Sequence, residues 1–168
     1  MFKYRLLMLL LIPAFATAQN VVINEIVASN QKTIDDEDGD ASDYIELYNS
    51  GAAAVQLEGY GLSDDPKTVK WHFGTATLAP GEFLLVFASD KNKQGTYWHT
   101  NFKISASGES IVLTDAAGVV ADRIDVPVSS GDIAWGRTSD GGGAWAFQTP
   151  SPGAANTGRI ILPYADQV

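Results

Sequence analysis

The chain has no cysteine, so disulfides, thiol nucleophiles and thiolate metal sites are excluded together. Histidine is nearly as scarce: His72 and His99 are the only 2, lying 27 positions apart without the short spacing of a zinc-binding pair. A serine hydrolase would need one of them as its base, yet neither stands in a nucleophile-elbow context and no GxSxG sequence occurs. His72 is expected on a strand beside Trp71, and His99 in a loop with its ring bonded to nearby backbone. Basic residues are few as well. The 11 Lys and Arg stand against 20 Asp and Glu, a net charge of −9, and so acidic a surface repels phosphate backbones and anionic membranes. Nucleic acid is therefore not an expected partner, and cations are the natural counterpart. Finally, no stretch after the first twenty residues carries the three-to-four spacing of an amphipathic helix.

What is present begins with "MFKYRLLMLLLIPAFATAQN". Lys3 and Arg5 precede an apolar run at 6–15 that is short for a bilayer, and Ala16-Thr17-Ala18 offers the small-x-small pattern of signal peptidase sites. Residues 1–18 are therefore expected to be a signal peptide, placing the mature protein outside the cytoplasm, secreted or periplasmic, with no membrane span after cleavage. Loss of Lys3 and Arg5 leaves 9 basic against 20 acidic residues and a net charge of −11. The remainder is the size of one domain, large enough to bury about two thirds of its unfolded surface without covalent staples.

Short apolar runs bounded by Gly, Pro, Asp and Ser recur along it, the rhythm of an all-β sandwich. "VVINEIVA" at 21–28 reads as the first strand. In "YIELYN" at 44–49, Ile45 and Leu47 point to one side and Tyr44, Glu46 and Tyr48 to the other, predicting one buried face. "FLLVFA" at 83–88 is apolar on both faces and is expected to be central. The polar stretch 90–101 reads as the longest irregular loop, on the surface. Residues 107–126 read as a hairpin closed by Asp115-Ala116-Ala117-Gly118, and 132–148 as a second with a glycine-rich tip at 141–143. A Pro-rich cap at 150–156 follows, then a stub at 157–168.

The order of motifs resembles the lamin tail domain family in its bacterial, secreted form. The residues that carry the resemblance are "INEI" at 23–26, "DEDGD" and "YIELYN" within 36–49, "LEGYGLSDD" at 57–65, "LAPGEFLLVFAS" at 78–89, "HTNFKISASGESIVLTD" at 99–115, and the closing "WGR", "DGGGAW" and "TPSPGAAN". No single motif is specific, but together and in order they span 21–156. The resemblance implies an immunoglobulin-like β-sandwich over 19–156 that is not an enzyme and that serves as a binding or anchoring unit.

Three groups of residues are candidates for chemistry. Asp36, Asp38 and Asp40 alternate around Gly39 within a run of six carboxylates at 35–43. Setting Gly39 at the sixth position of an EF-hand loop puts Ile34 first and Ile45 twelfth, so that template fails. The three aspartates can still converge on one hard cation, and the expectation is a calcium site at Asp36, Asp38 and Asp40. The competing reading is a solvated acidic loop that needs no ion. Second, Glu25 and Glu46 recur at like positions in two strands and would be the acid and base of a hydrolase, if this were one. Third, Tyr97, Trp98, Trp135 and Trp145 would make a carbohydrate platform if two or more lay exposed in one plane; otherwise they close the ends of the core. The expectation overall is a non-catalytic binding or structural module with a protein or cell-surface partner, working through the 90–101 loop and neighbouring turns.

Overall fold

The structure, a computed structural model, describes residues 20–161. The expected signal peptide at 1–18 and the end of the stub, 162–168, lie outside the described residues. No described helix is long and apolar enough to cross a membrane.

The described residues form twelve strands: β1 (Val21–Val27), β2 (Tyr44–Asn49), β3 (Val55–Gln56), β4 (Gly61–Ser63), β5 (Trp71–His72), β6 (Thr77–Leu78), β7 (Phe83–Phe87), β8 (Trp98–His99), β9 (Glu109–Thr114), β10 (Val120–Val126), β11 (Ala134–Ser139) and β12 (Gly142–Gln148). One sheet has six strands in the order β12-β11-β1-β2-β7-β8; the other has four, β10-β9-β4-β5; β3 and β6 make a separate ribbon. All pairings are antiparallel except β7 with β8. The two larger sheets bury one core between them, in which Ile23, Ile26, Ile45, Leu47 and Val86 from the first meet Leu62, Trp71, Ile111 and Leu113 from the second. The fold is thus the all-β sandwich expected.

Ile23 and Ile26 are three residues apart, a spacing that would put them on opposite faces of a regular strand. The β1–β2 register shifts between Ile23 and Glu25, and this bulge at Asn24 returns both isoleucines to the core while Glu25 and Val27 face outward. Asp122 of β10 fills the hydrogen-bonding gap that results. It accepts from the Ile23 amide at 3.0 Å and from Arg137 at 2.8 Å, so one ion pair fastens the edge of the smaller sheet to β1.

The expectation that β2 buries one face is corrected. Tyr44 and Glu46, on the outward side, are as inaccessible as Ile45 and Leu47, because that side of the large sheet has its own cover. Val27, Tyr44, Phe87 and Ala134 form a second apolar cluster beneath Ile34 of the acidic stretch. The 150–156 turn closes the rest, with Ser151 and Gly153 bonded to the glutamates of β1 and β2. The 90–101 stretch is corrected too: its last part is β8, and Trp98 and His99 are buried in it.

Candidate functional site

The acidic loop is organised by its first buried carboxylate. Asp36 Oδ1 accepts from the backbone amides of Asp38 at 3.0 Å and Asp40 at 3.1 Å, curling the chain around its own side chain. Gly39 completes the curl at φ +83°, with its amide donating to the Asp36 carbonyl at 3.0 Å. The curl directs Asp36, Asp38 and Asp40 toward one point, as the alternation around Gly39 implies.

That point holds an ammonium group of the protein itself. Lys91 Nζ lies 2.7 Å from Asp36 Oδ2, 2.8 Å from Asp38 Oδ2 and 2.8 Å from Asp40 Oδ2. Lys93 Nζ adds contacts at 2.6 Å to Asp38 and 3.0 Å to Glu37. The lysines are aimed by strained backbone, since Asp90 and Asn92, the neighbours of Lys91, both have positive φ (66° and 52°). Burial alone would raise the Asp36 pKa, but Lys91, the amides of Asp40 and Asp38 and the Ser42 hydroxyl outweigh it and hold the group down to about 2. The same three aspartates raise Lys91 above the usual lysine range against its own desolvation.

His99 is the third anchor, and its setting differs from the expected loop position. The ring has no solvent exposure and stacks on Phe87 at 5.2 Å. One nitrogen lies 2.8 Å from Glu37 Oε2 and the other 2.8 Å from Ser89 Oγ. Hydroxyl, imidazole and carboxylate thus stand in a row, but the ring is sealed and the Lys91 amide points at Ser89 Oγ, which leaves that donor turned toward the nucleophile position and away from any oxyanion. The row's evident work is structural: it ties the acidic loop to β7 and β8. Beside it runs a groove of about 450 Å³ lined by Asp40, Ser42, Asp43, Ser89, Lys91 and Lys103. Burial raises Asp43 in that groove above the ordinary aspartate value.

Lys91, Lys93, His99 and Ser89 were not identified as partners of the acidic loop from sequence. The one signal available is the Lys-x-Lys spacing at 91 and 93, which matches the Asp-x-Asp spacing at 36 and 38; it acquires meaning only once β2 and β7 are known to be neighbours.

Glu25 and Glu46 do come together. They are direct cross-strand partners, and neither has any solvent exposure. Glu25 accepts from the Tyr44 hydroxyl at 2.6 Å and from the Ser151 amide and hydroxyl at 3.0 Å each; Glu46 accepts from Asn24 at 3.1 Å and the Gly153 amide at 2.7 Å. This arrangement closes off the pair from substrate, as satisfied structural carboxylates would be. Sequence reasoning also missed Asn24 and Asn156, which cross-brace the same region through the Asn24 carbonyl at 3.2 Å and the Arg137 carbonyl at 2.8 Å.

The aromatic residues do not form a platform. Trp98 is packed against Trp71 and Phe73 in the core, while Tyr97, its chain neighbour, is exposed. Trp135 and Trp145 stack on each other at 6.2 Å, half-buried, and the Arg137 guanidinium covers Trp145 at 4.9 Å. Of the four only Tyr97 is exposed; Trp98 lies in the core, and Trp135 and Trp145 pack against it.

No curated protein matches the chain. The family model described as Lamin Tail Domain matches residues 14–127, from ahead of β1 to the end of the β9–β10 hairpin, and leaves β11, β12 and the 150–156 turn outside. With more than half of its residues matched and the sandwich in place, the chain belongs to the Lamin Tail Domain family.

Proposed function

We propose that the protein is a non-catalytic binding and structural module that works outside the cytoplasm, and that its working surface is the face built by the acidic loop and the 90–97 segment. The observation that carries this reading is the convergence of Asp36, Asp38 and Asp40 on Lys91. It joins two loops distant in sequence into one charged surface beside an open groove, suited to a protein or cell-surface partner. The buried, fully bonded state of Glu25 and Glu46 supports the non-catalytic part. The basic start, apolar run and Ala-Thr-Ala site of the first 18 residues support export.

Calcium belongs to the proposal as a competitor of Lys91. One oxygen from each of the three aspartates lies within 4.8 Å of the others, and hard carboxylate oxygens so placed suit that ion, with water completing its shell. When it enters, the Lys91 ammonium leaves. The test is a thermal melt of the mature chain in millimolar calcium and then in chelator. At about ten times a dissociation constant typical of extracellular modules the ion contributes about 1.4 kcal/mol, a rise of about 3–5 °C for a domain of this size. The rise should vanish in Asp38→Ala, and identical melts with and without calcium in the unaltered chain would end the calcium reading.

A further inference from the structure

The outer face of the six-stranded sheet encloses two carboxylates without a cation and carries a third, half-buried, at their rim. Glu25 and Glu46 sit side by side across β1 and β2, and Asp140, from the tip between β11 and β12, reaches the same Asn24 amide that donates to Glu46. Among the described residues no Lys, Arg or His bonds to any of the three. The other titratable group facing the pair is Tyr44, and burial together with Glu25 pushes its hydroxyl far above the usual tyrosine range, so it stays a donor. Like charges directly opposite on neighbouring strands are destabilising, and two adjacent buried carboxylates do not both ionise readily.

The roof over this enclosure is the 150–156 turn, and its fastenings are these carboxylates. The amides of Ser151, Gly153 and Asn156 donate to Glu25, Glu46 and Asp140 respectively, at 3.0, 2.7 and 2.9 Å. The chain then returns along β12, where Ile160 bridges Gln148 and the Ile161 amide donates to the Phe147 carbonyl at 2.7 Å. The Phe147 and Gln148 end of the β12 edge is therefore covered only while the turn holds the following residues in place.

We infer that Glu25 and Glu46 form a proton-operated latch: the 150–156 turn is docked while the pair carries a proton, and it is released, uncovering the β12 edge, when that proton leaves. The direction follows from the enclosure. A second buried negative charge beside Glu25 and Asp140 finds no cation, and the way to hydrate it is to lift the roof. Burial first, then Glu25 and Asp140, raise Glu46 to about 8, so the docked turn keeps a proton up to that pH that a solvated glutamate gives up near 4.5, and the balance shifts toward release between the two values. The latch is independent of the acidic loop, so it stands or falls apart from the calcium reading.

Hydrogen exchange at the Ser151 and Gly153 amides, corrected for the intrinsic rate, reads the latch directly. Between about pH 5 and pH 8 their protection should fall by up to about tenfold per pH unit and then level off, with core amides of β9 unchanged. In Glu46→Gln the fall should disappear. Protection that stays constant over the range in the unaltered chain overturns the latch. The ¹³C shift of the Glu46 carboxyl supplies a second readout that needs no variant: titration in the alkaline range together with loss of turn protection supports the latch, and titration near the ordinary glutamate value of 4.5 overturns it.

Discussion

Lys91 reaches Asp36 across 55 positions of sequence, its Nζ 2.7 Å from a carboxylate that solvent does not touch. The contact turns a run of mutually repelling carboxylates into an ordered loop, and it makes the lysine, itself one-fifth exposed, part of the fold. Replacing it by an apolar residue of similar length removes the cation from a buried carboxylate that is then held only by the Asp38 and Asp40 amides and the Ser42 hydroxyl. Lys91→Met should cost about 1–3 kcal/mol in urea unfolding, the penalty of stranding a buried polar group. A double-mutant cycle with Asp36→Asn should return a coupling of about 0.5–3 kcal/mol. Additive losses would mean that the pair does not hold the loop.

The same pair sets an acid limit. Asp36 is depressed from 3.8 to about 2, so the folded state binds fewer protons than the unfolded state between those values. Its contribution is complete above the unfolded value and is lost as pH falls from 3.8 toward 2. Melting temperatures measured from pH 5 downward should drop through that window. Asp36→Asn, already lacking the charge, should show a shallower fall.

Much of the fold is legible in the sequence because its signals are local. The alternation in "YIELYN" and the Asp115 to Gly118 closure each depend on neighbouring residues, and the strands β2, β9 and β10 lie where those signals put them. What escapes is set by distant segments. Nothing within five residues of Glu46 indicates that its face of the strand will be roofed, because the roof arrives more than a hundred residues later as Ser151 and Gly153. The acidic loop is similar: Asp36, Asp38 and Asp40 advertise a cation, but that Lys91 lies within reach follows from the β2–β7 pairing and from the positive φ of Asp90 and Asn92. The bulge at Asn24 leaves one mark in the sequence, the two isoleucines of "INEI" standing three apart where a regular strand would alternate, but that break does not by itself say which residue is the extra one.

The two histidines should respond very differently to removal. His72 lies on β5 with its side exposed, and His72→Ala is expected to change unfolding free energy by no more than about 0.5 kcal/mol. His99, without exposure and packed between Phe87, Ser89 and Glu37, leaves both a cavity and two unpaired partners, so His99→Ala should cost about 2–4 kcal/mol. Equal effects at the two sites, measured by urea titration, would show that the buried row of Ser89, His99 and Glu37 does not fasten the acidic loop.

Gly39 tests the loop through its backbone alone. It adopts φ +83°, and a Cβ built there meets no atom within 4 Å, so any cost of substitution is conformational and not steric crowding. Gly39→Ala should destabilise by about 1 kcal/mol and Gly39→Val by more, while Gly39→Asn, whose side chain tolerates the left-handed region, should be nearly neutral.

The alkaline side is governed by Glu46, with the opposite sign to Asp36. Burial, followed by Glu25 and Asp140, lifts it from 4.5 to about 8, so the folded state holds a proton that the unfolded chain has already released. Stability is therefore highest near the lower value and falls as pH rises toward the upper one, by up to about 1.4 kcal/mol per pH unit from this group. Urea midpoints should decline between about pH 5 and pH 8 and then level off. Glu46→Gln keeps an uncharged side chain of the same length, so its midpoints should decline less steeply across that range, with burial still raising Glu25, and its advantage over the unaltered chain should widen with pH. A variant that instead runs parallel to the unaltered chain would place the titrating proton on another group.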